Sequence, residues 1–329
     1  MKSHPPLPLR ILTHNIRYAT SAPFKGEKPW AQRKQHLINE LLYHTRHIPE
    51  SLLCLQEVLH IQLQDILAGL NQPNQNLNPN PNPTPKEPKE EETETETAQE
   101  WASIGVGRSD GHQAGEYSPI LYRPQIYSLT HSQTIWLSQT PHTPSRGWDA
   151  ASIRIVTIAL LTHRTTRKGL LVLSTHLDDQ GSRSRYESAK LIVQLIQGYV
   201  GEGSCWGGRI GGVVLAGDFN SEVQQEAYRV FMGAGSGLVD ARERVAGGLR
   251  YGNEITFTGF GFEGEPRTRI DYVMLGVGRE GGEKGEGEGE GEGEVLPWDV
   301  KGYAVLPNRF DDGVYNSDHR AVVVDAELG

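Results

Sequence analysis

Gly217-Asp218-Phe219-Asn220, preceded by Gly212-Val213-Val214-Leu215-Ala216, is the stretch on which the reading of this chain turns. A short apolar run rich in β-branched residues and edged by glycine predicts a buried strand. A carboxylate and a carboxamide one residue apart at its C-terminal end project into the crevice where α/β sheets hold ligands. Phe219 points the other way, as the two-residue alternation of extended chain requires. Ser221 offers an N-cap for a helix over 222–232 with an acidic first turn. The plain alternative is a strand-to-helix turn that uses Asp and Asn as turn formers. The rest of the chain decides between them.

The net charge of −9 over 329 residues is concentrated in two places. Residues 71–100 hold seven Glu against two Lys, and residues 279–294 hold seven Glu against Arg279 and Lys284. Each segment therefore carries −5, which leaves the remainder near +1. The body is almost neutral, and no basic arm or stripe announces duplex DNA. Both acidic segments are too poor in apolar residues to offset ordering, so they read as solvated insertions. Cys54 and Cys205 are the only cysteines, far apart in sequence, which excludes a disulfide framework and a Cys-based zinc site. Residues 1–8 lack the apolar core of a signal peptide, and no run approaches the roughly 18 apolar residues of a membrane span. An intracellular setting is expected.

From the central stretch outward, strands are expected at 9–14, 51–56, 119–123, 126–130, 134–137, 152–162, 169–175, 255–258, 269–275, 303–306 and 320–325. Helices are expected at 31–48, 58–70 and 182–200, each with an apolar stripe of helical period. His44 and His47 stand three apart on the first helix, but His47 falls opposite its apolar stripe and reads as solvated. The glycines of 105–111 have the wrong spacing for a dinucleotide loop, and no helix follows them. The strands before and after each insertion are needed together, so 9–325 is expected to form one domain.

Polar residues recur at the expected strand ends: Asn15, Glu57, His176, Asp218, Asn220, Asp271, Asp318 and His319. With them the chain resembles the endonuclease/exonuclease/phosphatase superfamily of metal-dependent phosphoesterases. The matching segments, in the family's order, are Thr13-His14-Asn15, Leu55-Gln56-Glu57, Ser174-Thr175-His176, Gly217-Asp218-Phe219-Asn220, Arg269-Ile270-Asp271-Tyr272 and Ser317-Asp318-His319. The resemblance implies an α/β fold, two β-sheets packed as a sandwich and flanked by helices in four layers. It also implies hydrolysis of a phosphoester by an activated water. Glu57 is a hard oxygen ligand suited to Mg²⁺ or Mn²⁺; by resemblance Asn15 and Asp318 complete or support the metal's surroundings. The same likeness has Asp218 orienting or deprotonating the water and Asn220 fixing it. It makes His319, oriented by Asp271, a charge partner or proton shuttle, and His176 a hydrogen-bond donor to the phosphoryl group. Glu116 resembles the residue that orients this histidine in pancreatic-type deoxyribonucleases.

Further segments resemble a branch loosely akin to nocturnin-like deadenylases: 15–18, 105–111, 136–138 and 147–150. Arg17, Arg108, Arg146 and Trp148 are the expected substrate-binding residues, holding phosphate and stacking a base or ring; Trp136 reads equally as core. The leading expectation is a nuclease on single-stranded nucleic acid, with 3′–5′ exoribonuclease or deadenylase action included. The alternative is a phosphatase or phosphodiesterase on a nucleotide, sugar phosphate or inositol phosphate. A silent binding protein would have lost Glu57, Asp218 or His319, and all three are present.

Overall fold

The computed structural model describes residues 5–72, 100–278 and 296–329. In chain order the strands are β1 (Leu7–Asn15), β2 (Ser51–Gln56), β3 (Ala102–Ile104), β4 (Ile120–Tyr122), β5 (Tyr127–Trp136), β6 (Ile155–His163), β7 (Gly169–His176), β8 (Gly212–Asp218), β9 (Leu238–Asp240), β10 (Arg250–Gly252), β11 (Asp271–Val277), β12 (Trp298–Val305) and β13 (Val322–Leu328). The helices are α1 (Trp30–Thr45), α2 (His60–Leu70), α3 (Ser182–Val200), α4 (Glu226–Phe231) and α5 (Ala241–Arg244).

The strands form a seven-stranded sheet, β10-β12-β13-β1-β2-β4-β3, and a six-stranded sheet, β5-β6-β7-β8-β11-β9. Their central strands are apolar on both faces, and alternation sorts the side chains between two environments. In β2, Leu52 and Cys54 enter the core between the sheets, whereas Leu53 and Leu55 face Leu37, Leu41 and Ile66 of α1 and α2. In β8, Val214 and Ala216 join the inter-sheet core; Val213 and Leu215 pack with Ile192 and Ile196 of α3. The result is the expected four-layer sandwich, helices outside and sheets within.

Parallel pairing aligns the strand ends that carry the expected site residues. Asn15 lies opposite Gln56 in the β1–β2 register, and His176 lies opposite Asp218 in the β7–β8 register. Antiparallel β11 sets Asp271 opposite Asp218. Thus β1, β2, β7 and β8 end, and β11 begins, along one rim.

Several boundaries differ from the sequence reading. The helix expected over 222–232 is only α4, and Ser221 does not cap at its expected place. Its hydroxyl instead accepts from the Ala227 amide (3.2 Å), while Gln225 is the N-cap. Residues 255–258 form no strand; Phe257 makes isolated bridges to Thr268 and His319. The two strands expected at 126–130 and 134–137 are one, β5, bent by an irregularity between Leu129 and His131. The short strands β3, β9 and β10 carry too little periodicity to be seen in sequence. The expected insertions at 71–100 and 279–294 lie outside the described residues apart from 71, 72 and 100.

Candidate active site

Asp218 is the hub. It is buried at the end of β8, where Gly217 adopts φ 151° and where a Cβ would come within 1.9 Å of the Thr175 carbonyl oxygen. Only glycine lets β8 approach β7 this closely just before the carboxylate. Asp218 Oδ2 accepts from Asn15 Nδ2 at 3.0 Å and lies 3.5 Å from His176 Nε2 and 3.6 Å from His319 Nε2. Its other oxygen accepts from the Asn220 amide at 2.9 Å. Asn220, Glu57 and Arg17 all have positive φ, of 46°, 57° and 58°. Non-glycine residues in that region cost free energy and cluster where side chains are aimed for function.

His319 is held from the far side by Asp271, Nδ1 to Oδ2 at 2.8 Å. Burial opposes the imidazolium, but the Asp271 and Asp218 carboxylates outweigh it and raise the His319 pKa to about 10. The two carboxylates thus favour its protonated form. His176 is its opposite: burial, then the Arg154 and Arg108 charges, hold it well below its ordinary value, so its ring is neutral. Asn220 Nδ2 donates both to the Leu177 carbonyl and to His176 Nε2, each at 3.0 Å. The carbonyl fixes that amide as the donor, which leaves the His176 proton on Nδ1. Burial and the neighbouring Asp271 charge push Asp218 up to about 7. A carboxylate so displaced is poised to exchange a proton near neutrality.

Glu57 and Asp318 face the same cavity. Glu57 accepts from Asn15 Nδ2 (3.0 Å) and from the Tyr18 amide (3.2 Å). Burial raises the Asp318 pKa and the Glu57 charge adds to it, though His319 opposes both. Two carboxylates repelling across a polar cavity form a hard-oxygen donor set that a divalent cation would stabilise, so these residues fit Mg²⁺ or Mn²⁺. Asn15 directs its amide nitrogen, not its oxygen, at Glu57 and Asp218; its oxygen accepts from the Arg17 amide at 3.0 Å. Asn15 therefore orients the carboxylates. A second group, Asp218, Asp271 and His319, brings potential ligand atoms within 4.8 Å of one another. Asp271 already engages His319 Nδ1 at 2.8 Å, a contact that also suits this trio to relaying charge to Asp218.

The cavity has a volume of about 440 Å³. Arg17 and Arg108 reach it as expected, whereas Arg146 and Trp148 do not line it. Arg146 is exposed and its Nη1 donates to the Ala151 carbonyl at 3.4 Å. Trp136 is buried and donates to the Arg108 carbonyl at 2.7 Å, so it positions that arginine from the core. Glu116 also lines the cavity, but it pairs with Arg108 at 2.7 Å. It does not reach His176, whose Nδ1 has no hydrogen-bond partner among the described residues. A space of about 10 Å³ lies between them, room for about one water. Burial, then the Glu57 charge, raises Glu116 to about 7 against the pull of Arg108.

Sequence reasoning missed Arg154, which lines the cavity just before β6 and donates to Asp178 (3.3 Å) and Asp179 (2.7 Å). The consecutive aspartates two residues past His176 were the available signal. Asp178 also accepts from the Ala151, Ser152 and Gly181 amides and so fixes the loop that presents Arg154. His14 and Ser317 were not singled out either. His14 Nε2 donates to the His319 carbonyl at 3.2 Å, and Ser317 Oγ donates to the Asn15 carbonyl at 2.6 Å. These bonds knit the two ends of the chain beneath the site.

Attack of water on a phosphoryl group needs a buried base, a fixed cation for the developing charge and hard oxygens for a metal, all on one cavity. A two-sheet sandwich that gathers these at its rim defines a hydrolase of phosphoric esters. This chain belongs to the endonuclease/exonuclease/phosphatase family, whose model matches residues 12–324. No curated protein matches it in sequence. Among solved structures it is similar to an endonuclease/exonuclease/phosphatase protein from Bacteroides vulgatus, 28% identical, with 98% of this chain and 100% of that one covered and a TM-score of 0.74. It is also similar to a mannosyl-6-phosphatase from Bacteroides thetaiotaomicron, 26% identical, covering 97% and 99% with a TM-score of 0.71. The catalytic domain of human nocturnin shares the fold at 17% identity, 98% and 94% coverage and a TM-score of 0.64.

Proposed function

We propose that this phosphoester hydrolase removes a phosphate from a small polar molecule, of the sugar-phosphate kind, with Mg²⁺ or Mn²⁺ bound by Glu57 and Asp318. The observation that carries the substrate reading is the make-up of the cavity. A space of about 440 Å³ takes a small ligand. Arg17, Arg108 and Arg154 surround it, while the tryptophan and arginine that would extend a platform for a strand stand outside it. Guanidinium groups ringing a confined site suit a terminal phosphate dianion. The similarity to a mannosyl-6-phosphatase supports the same class. Single-stranded nucleic acid, which sequence alone favoured, becomes the second reading. Two free cysteines, one buried and one exposed, agree with a reducing, intracellular setting.

In this reading Asp218 orients the attacking water and takes its proton. Asn220 keeps the neutral His176 ring in place beside Asp218, and the His319 imidazolium balances the charge that develops on the phosphoryl oxygens. The metal, when bound, polarises the phosphoryl oxygen and stabilises the leaving oxygen. Asn15 keeps Glu57 and Asp218 apart and aligned. The deciding experiment compares kcat/KM on hexose 6-phosphates, nucleoside monophosphates and inositol phosphates with that on short RNA and DNA oligonucleotides. A small phosphomonoester should lead by at least about tenfold, an energy gap of about 1.4 kcal/mol. Faster release of nucleotides from a single strand would restore the nuclease reading.

A further inference from the structure

Behind the wall of the active site lies a second cavity of about 290 Å³. Its walls carry Arg267, Arg309 and Arg320 together with Thr258, Asn308 and Tyr315, and no acidic residue lines it. None of the three guanidinium groups forms an ion pair among the described residues, unlike the arginines of the active site. Of the acids close to these arginines in sequence, Glu265 and Asp318 line the active-site cavity instead, and Asp312 pairs with His36. Arg309 lies over the Tyr315 ring, 5.5 Å from its centroid. Arg320 donates from Nη1 to the Ile255 carbonyl at 3.2 Å, and its Nε is buried with no partner. An anion would offset the repulsion among three arginines gathered on one cavity.

We propose that this cavity is a second anion site, built to hold the phosphate group of a small molecule. Forked donors around an uncompensated triple positive charge match a tetrahedral dianion better than a single carboxylate. The volume admits one such group with little attached. The site is tied to the catalytic one through backbone. Successive side chains of extended chain point to opposite sides, so His319 faces the active site and Arg320 the second cavity. Thr258 donates from its amide to the Asp318 carbonyl at 2.7 Å. Asn308 Nδ2 donates to both Thr258 Oγ1 and the Ser317 carbonyl at 2.8 Å. The Arg320 amide donates to the Thr256 carbonyl at 2.8 Å. An anion bound here therefore rests on the segments that place Phe257, Asp318 and His319.

The test is calorimetric titration of the Mg²⁺-loaded full chain with inorganic phosphate at fixed ionic strength. Active-site occupancy is read separately from competitive inhibition of phosphomonoester turnover. Wild-type protein should bind two phosphates. The double variant Arg267→Gln/Arg309→Gln alters two exposed side chains and should keep the fold. It should bind one phosphate, with the inhibition constant within about twofold of wild type. Each single variant should weaken the second site about tenfold, the loss expected for one charge-assisted hydrogen bond. A parallel titration with methylphosphonate separates free phosphate from phosphate carried on carbon, and tighter binding of either names the source. A single phosphate in wild type, or two with unchanged affinity in the double variant, would overturn the proposal.

Discussion

Gly217 shows how much one residue can decide. Its φ of 151° and the Thr175 carbonyl 1.9 Å from where a Cβ would sit leave no room for a side chain. Gly217→Ala should cost at least about 2 kcal/mol, because the strand must part from its neighbour or the backbone must strain; chemical denaturation measures it. The Asp218/Asn220 pair was legible because alternation predicts both side chains on one side of the chain. Both do line the cavity, Asn220 from a positive φ of 46° beyond the end of β8. The role of Glu116 was not, because its partner depends on where Arg108 arrives from a different loop. Arg154 was hidden inside an expected strand that in fact begins at Ile155. Glu57→Gln keeps the shape but removes the charge that a divalent ion needs. Manganese binding, read directly by electron paramagnetic resonance without turnover, should weaken at least about tenfold. Unchanged Mn²⁺ affinity would place the metal elsewhere.

Among the elements, α1 contributes most to the site without touching it. Arg33 is fully buried, and its guanidinium donates to the carbonyls of Ile16, Arg17, Tyr18 and Asn316, at distances from 2.6 to 3.3 Å. The turn that aims Arg17 and the segment before Asp318 are thereby fastened to one helix. Arg33→Met should destabilise the protein by about 2–4 kcal/mol, since several buried carbonyls lose their donors together. A urea midpoint within experimental error of wild type would contradict it. Long apolar strands and α3 were evident from period alone, whereas α4 and the 255–258 segment were not. Ser221 and an acidic turn looked like a helix start, but the first turn is delayed until Gln225 by the loop that carries Asn220. Short edge strands such as β9 and β10 take their conformation from neighbours, which a local pattern cannot register.

The site exists only when the two sheets are packed together. Asn15 and Glu57 come from one, His176, Asp218 and Asp271 from the other, and the core between the sheets sets their spacing. Their recurrence at strand ends was readable in sequence; the split of the expected substrate residues, two inside the cavity and two outside, needed the loops in place. The first acidic segment is expected to be dispensable for this packing. Asn71 Nδ2 donates to the Trp101 carbonyl at 3.1 Å, and the Trp101 amide donates to Asn71 Oδ1 at 2.7 Å, so the chain is already joined across the first segment. Replacing 73–99 with a short Gly/Ser link should leave the melting temperature within a few degrees and turnover unchanged, because loop-closure entropy varies slowly with length. Aggregation of the shortened protein would show that the segment supports the fold.

The central claim, that Asp218 works on the attacking water while His319 supplies charge, is tested most directly by Asp218→Asn. The substitution keeps the acceptor for Asn15 and removes the negative charge. With folding verified by circular dichroism and metal binding by manganese resonance, kcat on the best phosphomonoester should fall by at least about a hundredfold. Affinity for inorganic phosphate at the active site should change far less, and adding His319→Ala should make little further difference if the two groups act as one unit. A folded, metal-loaded Asp218→Asn protein that retains half the wild-type kcat would contradict the account, leaving Gly217 to Asn220 as a turn and nothing more.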